Sequence, residues 1–185
     1  MDLVKLSRDL AYEQCKKNDS PPWLLTEIAI RKGKELAKKY NVDEKLVLVS
    51  LYLSHTIFDN KTGNSMRENH PQLSADFSKK YLDEWKVDEK EKKIILNSIE
   101  AHHDKVPTES KIAEVVKNAE CFKFVTIEGS LIWLHELGLR GFSYEDSVKY
   151  VLKKMNDKKK LLTLNDCIKE AEVTCKKIIE LFVSK

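Results

Sequence analysis

The sequence predicts an all-α fold, a single-domain helical bundle, and three observations carry that reading. Turn-forming residues are scarce, with 5 Gly and 4 Pro in 185 residues, too few for the many tight turns of a β-sandwich. Apolar residues recur at three- and four-residue spacing along nearly the whole chain, the period of an amphipathic helix. No internal repeat, low-complexity tract or composition shift divides the chain, and its length suffices for one core without disulfides or a structural metal. Residues 1–185 therefore read as one domain.

The elements follow in order. Residues 2–17 form an amphipathic segment with Leu3, Leu6 and Leu10 on one side. Asp19-Ser20-Pro21-Pro22 breaks the chain, and a helix from Trp23 to Tyr40 follows with Leu24, Ile28 and Leu36 inward. Asp43 caps the next helix, Glu44 to about Phe58, which is apolar on every side and so belongs at the centre. Asp59 to Ser65 is turn chemistry. His70-Pro71 opens a helix bearing Leu73, Phe77, Tyr81 and Trp85 at i,i+4 spacing, and Asp88-x-x-Glu91 is a capping box for a helix ending at His102-His103-Asp104. Pro107-Thr108 starts another, with Ile112, Val115, Val116, Ala119 and Phe122 inward. Short helices near 130–137 and 144–156 flank Gly138 and Gly141, and a long helix runs from about Asn165 to Phe182.

Composition excludes several function classes. With 33 Lys+Arg against 30 Asp+Glu, the net charge of +3 does not favour nucleic acid. The run Lys158-Lys159-Lys160 is flanked by Asp157 and Leu161 and reads as a solvated helix end. No apolar stretch reaches the ~18 residues of a spanning helix, and no signal-peptide layout opens the chain, so no membrane partner is expected. Cys15, Cys121, Cys167 and Cys175 lack C-x-x-C spacing and read as free, mostly buried thiols, which fits a reducing, cytoplasmic setting.

The polar residues that are wrong for a core are the informative ones. His55 follows the most apolar run in the chain and shares a helical face with Asp59 at i,i+4, a spacing suited to two ligands or to a His–carboxylate bond. A single core histidine bonded to a carbonyl explains His55 equally well. Four of the five histidines, His55, His70, His102 and His103, stand at three expected helix ends. Imidazole and carboxylate suit a divalent Fe, Mn, Zn, Co or Ni ion, and a bundle gathers ligands from several helices at its centre. His102 and His103 are about 100° apart on a helix and point the same way only if the helix has ended. The alternative for them is a solvent-facing C-terminal cap. His135 has no companion and reads as structural.

The order of these pieces resembles the HD-domain superfamily of metal-dependent phosphohydrolases. Leu53-Ser54-His55-Thr56-Ile57-Phe58 occupies the place of the His-Asp signature. His70-Pro71-Gln72-Leu73-Ser74-Ala75 is similar to the family's His-Pro helix start, and Ile99-Glu100-Ala101-His102-His103 to its paired-histidine element. Asn118-Ala119-Glu120-Cys121 falls where the last metal-binding Asp is usual. The resemblance covers about residues 20–126, leaving 127–185 as a C-terminal helical extension packed on that core. It is closest to the two-metal branch that includes bacterial diadenosine tetraphosphate hydrolases. Departures are marked: no His precedes His55, Thr56 stands at the signature Asp, and Glu120 replaces the terminal Asp.

The resemblance implies metal ligation by His55, His70, His102, His103 and Glu120. Glu27 is the replacement for the missing first His, whose place falls near Leu25–Glu27. His102, His103 and Asp59 are the catalytic candidates, and Asp104 a further source of charge. Arg67, near His70, is a candidate phosphate clamp. Counting carboxylates, one divalent ion is expected rather than two, because Thr56 removes an anionic ligand. The implied function is hydrolysis of a nucleotide or other small phosphoester by metal-activated water. The alternative is an inactive HD-like domain that binds a nucleotide or a protein partner, and a nucleic-acid-binding helical domain ranks third.

Overall fold

Short polar side chains start most of the helices by accepting the otherwise unpaired N–H groups of a first turn. The computed structural model describes residues 2–57 and 64–183, with the backbone alone for 64–68 and 183. Asp2 caps α1 (Leu3–Asn18), and Pro22 precedes α2 (Trp23–Tyr40). Asp43 accepts from Leu46 N at 3.2 Å and starts α3 (Glu44–Leu53). After α4 (Asn64–Glu84), Asp88 accepts from Lys90 N and Glu91 N at the head of α5 (Glu89–Glu100). Ser110 caps α6 (Lys111–Phe122), which runs into a one-turn 3-10 helix (Lys123–Val125). Thr126 and Ser143 cap α7 (Ile127–Leu139) and α8 (Tyr144–Lys159), and α9 (Asn165–Val183) closes the chain. Among the described residues the fold is a single all-α domain of nine α-helices with no strand.

The core explains why α3 is apolar all round. One face of α3 (Val47, Leu48, Leu51) joins a central cluster with Leu36 of α2, Val115 and Ala119 of α6, and Cys167 and Ile178 of α9. The opposite face (Leu46, Val49, Leu53) joins a second cluster with Leu10, Leu82, Ile95 and Ile99. A helix packed on both sides has no polar face to offer. At Gly33 of α2, a Cβ would overlap Leu51 Cδ1, so the missing side chain lets α2 and α3 approach. A third cluster packs Leu25 and Ile28 of α2 on Trp133, Leu137 and Val151.

Three boundaries differ from the sequence reading. The central helix stops at Leu53, not Phe58, because hydroxyls compete for its last carbonyls. Ser54 Oγ donates to Ser50 O at 2.7 Å and Thr56 Oγ1 to Leu53 O at 3.1 Å. Phe58 and Asp59 lie outside the described residues. His70-Pro71 does not open a helix: α4 begins at Asn64 and Pro71 lies inside it, the lost hydrogen bond being offset by burial of Ala75 and Leu82 beyond it. Helix α6 starts at Lys111 rather than at Pro107. Asn97 holds the intervening loop, donating to Pro107 O at 3.1 Å and accepting from Glu109 N at 2.9 Å.

All four cysteines are free, with Cys121, Cys167 and Cys175 buried. No helix among the described residues is long and apolar enough to cross a membrane.

Candidate metal centre and cationic pocket

Each site histidine is delivered by a different piece of local structure. His55 sits in the turn after α3, and that turn is fastened to α4 by Ile57 N donating to Ser74 Oγ at 3.1 Å. His70 lies within α4 and is 2% exposed. His102 and His103 fall just after α5, whose helix ends at Glu100. Freed from helical geometry, both rings turn to the same place: the His70 centroid is 5.0 Å from His102 and 4.9 Å from His103.

His55, His70 and His102 form a buried triad whose ligand nitrogens lie within 4.8 Å of one another. His102 Nδ1 donates to Ile99 O at 2.5 Å. A carbonyl only accepts, so the ring proton is on Nδ1 and Nε2 presents its lone pair inward. His70 Nε2 lies 3.0 Å from His102 Nε2. Two imidazole nitrogens held about 2.1 Å from one ion at a right angle would be about 3.0 Å apart. His55 Nε2 lies 2.7 Å from Glu120 Oε2, and Glu120 Oε1 is buried without a partner among the described residues. The three-imidazole donor set fits a single divalent ion.

The surroundings of His55, His102 and His103 favour the neutral imidazole. Burial, then the neighbouring Lys123 and His70, pushes His55 well below the usual histidine range. Burial and the adjacent His103 do the same to His102, and burial with Lys158 lowers His103. A neutral imidazole is the form that binds metal.

The pocket in front of the triad has a wall of opposite character. His55, His70, His103 and Glu120 line one side, and Lys123, Arg140, Lys154 and Lys158 approach from the 3-10 turn, the end of α7 and α8. Lys158 is 5% exposed and its Nζ is 3.2 Å from His103 Nε2. Burial, then Lys158 and Lys123, lowers Lys154 to about 8. Phe124, Trp133 and Tyr150 complete the lining, with Arg140 over the Trp133 ring at 5.1 Å. Four cations face one carboxylate, an arrangement that attracts anions.

Of the residues named from sequence, the structure brings together His55, His70, His102, His103 and Glu120. Glu27 stands apart: its Oε1 accepts from Trp23 Nε1 at 3.1 Å, and it is Leu25, fully buried, that faces the pocket. Thr56 is buried, with its hydroxyl on Leu53 O and 3.4 Å from Ser78 Oγ. Asp59 and the Arg67 side chain lie outside what is described, Asp104 does not line the pocket, and His135 is exposed on α7. Sequence reasoning missed Lys123, Arg140, Lys154 and Lys158, and it took Lys158 for a solvated residue. The available signal was the i,i+4 stripe Tyr150-Lys154-Lys158 on α8, continuous with one apolar face.

The buried Asn118 ties this cationic wall to the histidine wall. Its Oδ1 accepts from Thr163 N and Leu164 N at 3.0 and 3.1 Å, and its Nδ2 donates to Glu114 O and Thr163 Oγ1, both at 2.8 Å. The α8–α9 loop is thereby clamped to α6, two residues before Glu120. No protein-family model, no curated protein and no solved structure matches the chain.

Proposed function

We propose that this protein is a metal-dependent phosphohydrolase of HD-like type, acting on a nucleotide or another small phosphoester through one divalent ion. The observation that carries the reading is the buried His55–His70–His102 triad behind a pocket whose other wall is cationic. The resemblance of Leu53–Phe58, His70–Ala75 and Ile99–His103 to the HD signature supports it from the sequence side. A divalent ion, when bound, supplies Lewis acidity to a phosphoryl oxygen and lowers the pKa of water.

The chain's own residues do the rest. Lys154, Lys158 and Arg140 neutralise the phosphate oxygens and orient the group toward the triad. Trp133, Tyr150 and Phe124 offer apolar surface to the remainder of the ligand and limit water beside it. His103 Nε2 accepts from the Lys158 ammonium and positions it at the pocket.

One observation favours a second reading, a domain that binds such an anion without turnover. Thr56, at the signature Asp, directs its hydroxyl to Leu53 and Ser78 rather than into the pocket, so the site has one carboxylate where the family has more. Titration with Mn²⁺ and Co²⁺, followed by a phosphate-release screen over nucleotides and p-nitrophenyl phosphate, separates the two. Metal-dependent release that disappears with His102→Ala supports the hydrolase; saturable nucleotide binding with no release supports the binding domain.

A further inference from the structure

The Lys123 ammonium lies beside the histidine triad, on the buried carboxylate of Glu120. Its side chain is 1% exposed, its Nζ is 2.5 Å from Glu120 Oε2 and 3.2 Å from His55 Nε2, and the Glu120 side chain is itself 3% exposed. Both residues belong to one turn, spaced i,i+3 across the end of α6. The backbone there has little freedom: Thr126 Oγ1 donates to Lys123 O at 3.0 Å, and a Cβ on Gly129 would overlap that same oxygen. Lys154 and Lys158 differ, since neither makes an ion pair with a carboxylate among the described residues.

Resting on the metal-dependent reading above, we infer that Lys123 is a tethered cation that takes the place of a second metal ion. It is held by Glu120, whose Oε2 also accepts from His55 Nε2, so that the centre carries one exchangeable ion beside one permanent ammonium. The chemistry supports this economy. A divalent ion at the Lys123 position would draw on the same carboxylate oxygen, Glu120 Oε2. The ammonium neutralises the buried carboxylate at hydrogen-bond distance and keeps further N–H groups for a phosphate oxygen. It also repels a second ion from that side. Glu120 is then the counter-charge of the lysine rather than a ligand of the exchangeable metal.

The test is calorimetric titration with Mn²⁺ and visible spectroscopy with Co²⁺ on wild type, Lys123→Met, Glu120→Gln and the double variant, with thermal melts to confirm folding. Lys123→Met should bind metal about tenfold or more tightly, or take a second equivalent, with a changed Co²⁺ spectrum. Glu120→Gln alone should leave wild-type metal affinity within about threefold, and the double variant should show no gain. A tenfold loss in Glu120→Gln makes Glu120 a metal ligand and overturns the inference, even if Lys123→Met does not fold. So does a Lys123→Met variant with unchanged stoichiometry, affinity and spectrum. Metal binding by Lys123→Met but not by wild type upholds the inference while the metal-dependent reading fails. Binding by wild type with no gain in Lys123→Met does the reverse, and no binding in any form overturns both.

Discussion

Lys32 and Lys158 are equally buried, each 5% exposed, yet their surroundings are opposite. Lys32, on α2, reaches Glu35 Oε1 at 2.9 Å and Glu170 Oε2 at 2.6 Å, while its ammonium lies 4.1 Å from the Phe122 ring centroid. Burial alone would lower its pKa, but the hydrogen bonds to Glu170 and Glu35 outweigh this and raise it. Lys158 has a histidine for its neighbour and other lysines beyond, and burial carries its pKa downward. A buried charge must be paired or its burial is costly. Lys32 is paired within the fold and ties α2 to α9. Lys158 makes no ion pair with a carboxylate among the described residues, which is what the proposed function expects of a residue that meets an anionic ligand.

The largest effect tests the framework that holds this contrast. Asn118→Ala removes the acceptor of two backbone N–H groups and releases the α8–α9 loop, which should cost about 3 kcal/mol. Urea denaturation measures it; a loss below about 1 kcal/mol would mean that the loop is held by other contacts. The contrast itself makes the next prediction. Lys158→Met should weaken sulfate or pyrophosphate binding about tenfold and, by removing an uncompensated buried charge, raise stability by about 1 kcal/mol. Weaker binding with lower stability would show that Lys158 has a hidden structural partner.

A pH series sharpens the same point. Lys154 faces Lys158 and Asp157 on α8, Lys123 and the Phe124 ring from the 3-10 turn, Cys121 of α6, and His55 and His103 across the pocket. With its pKa lowered to about 8, it is charged at neutrality and loses its proton as pH rises through that value. Affinity for sulfate, whose own charge is constant over this range, should therefore fall between about pH 7 and 9. The fall should be blunted in Lys154→Met; an identical profile in that variant would assign the titration elsewhere. The smallest effect belongs to the paired lysine. Lys32→Met should lower stability by less than about 1 kcal/mol, since Glu35 and Glu170 are half exposed, and leave anion affinity unaltered. A change in sulfate binding would erase the distinction drawn here.

The histidine wall was legible in the sequence and the cationic wall was not. Histidine is scarce and sits beside apolar runs, so His55, His70, His102 and His103 stood out as residues out of place. Lysine is abundant, and in Lys153-Lys154 and Lys158-Lys159-Lys160 only the i,i+4 spacing from Tyr150 separates the members that turn inward from those that face water. Glu120 was found by its position in a pattern; its partner Lys123, three residues on, carried no pattern. Glu27 shows the opposite error, since a carboxylate in the right window was assigned a ligand's role although Leu25 is what meets the pocket.

Local chemistry determined the helical class and most helix starts. Asp43, Asp88 and Ser143 each satisfy N–H groups within three residues, and the 3.6-residue period needs no distant partner. Tertiary structure alone decided that α4 continues through Pro71 and that His102 and His103, beyond the end of α5, share a site. It also decided which lysines are buried and whether a carboxylate meets them. Those outcomes depend on which helix lies opposite, and the energy of a charge is set by its surroundings in space rather than by its neighbours along the chain.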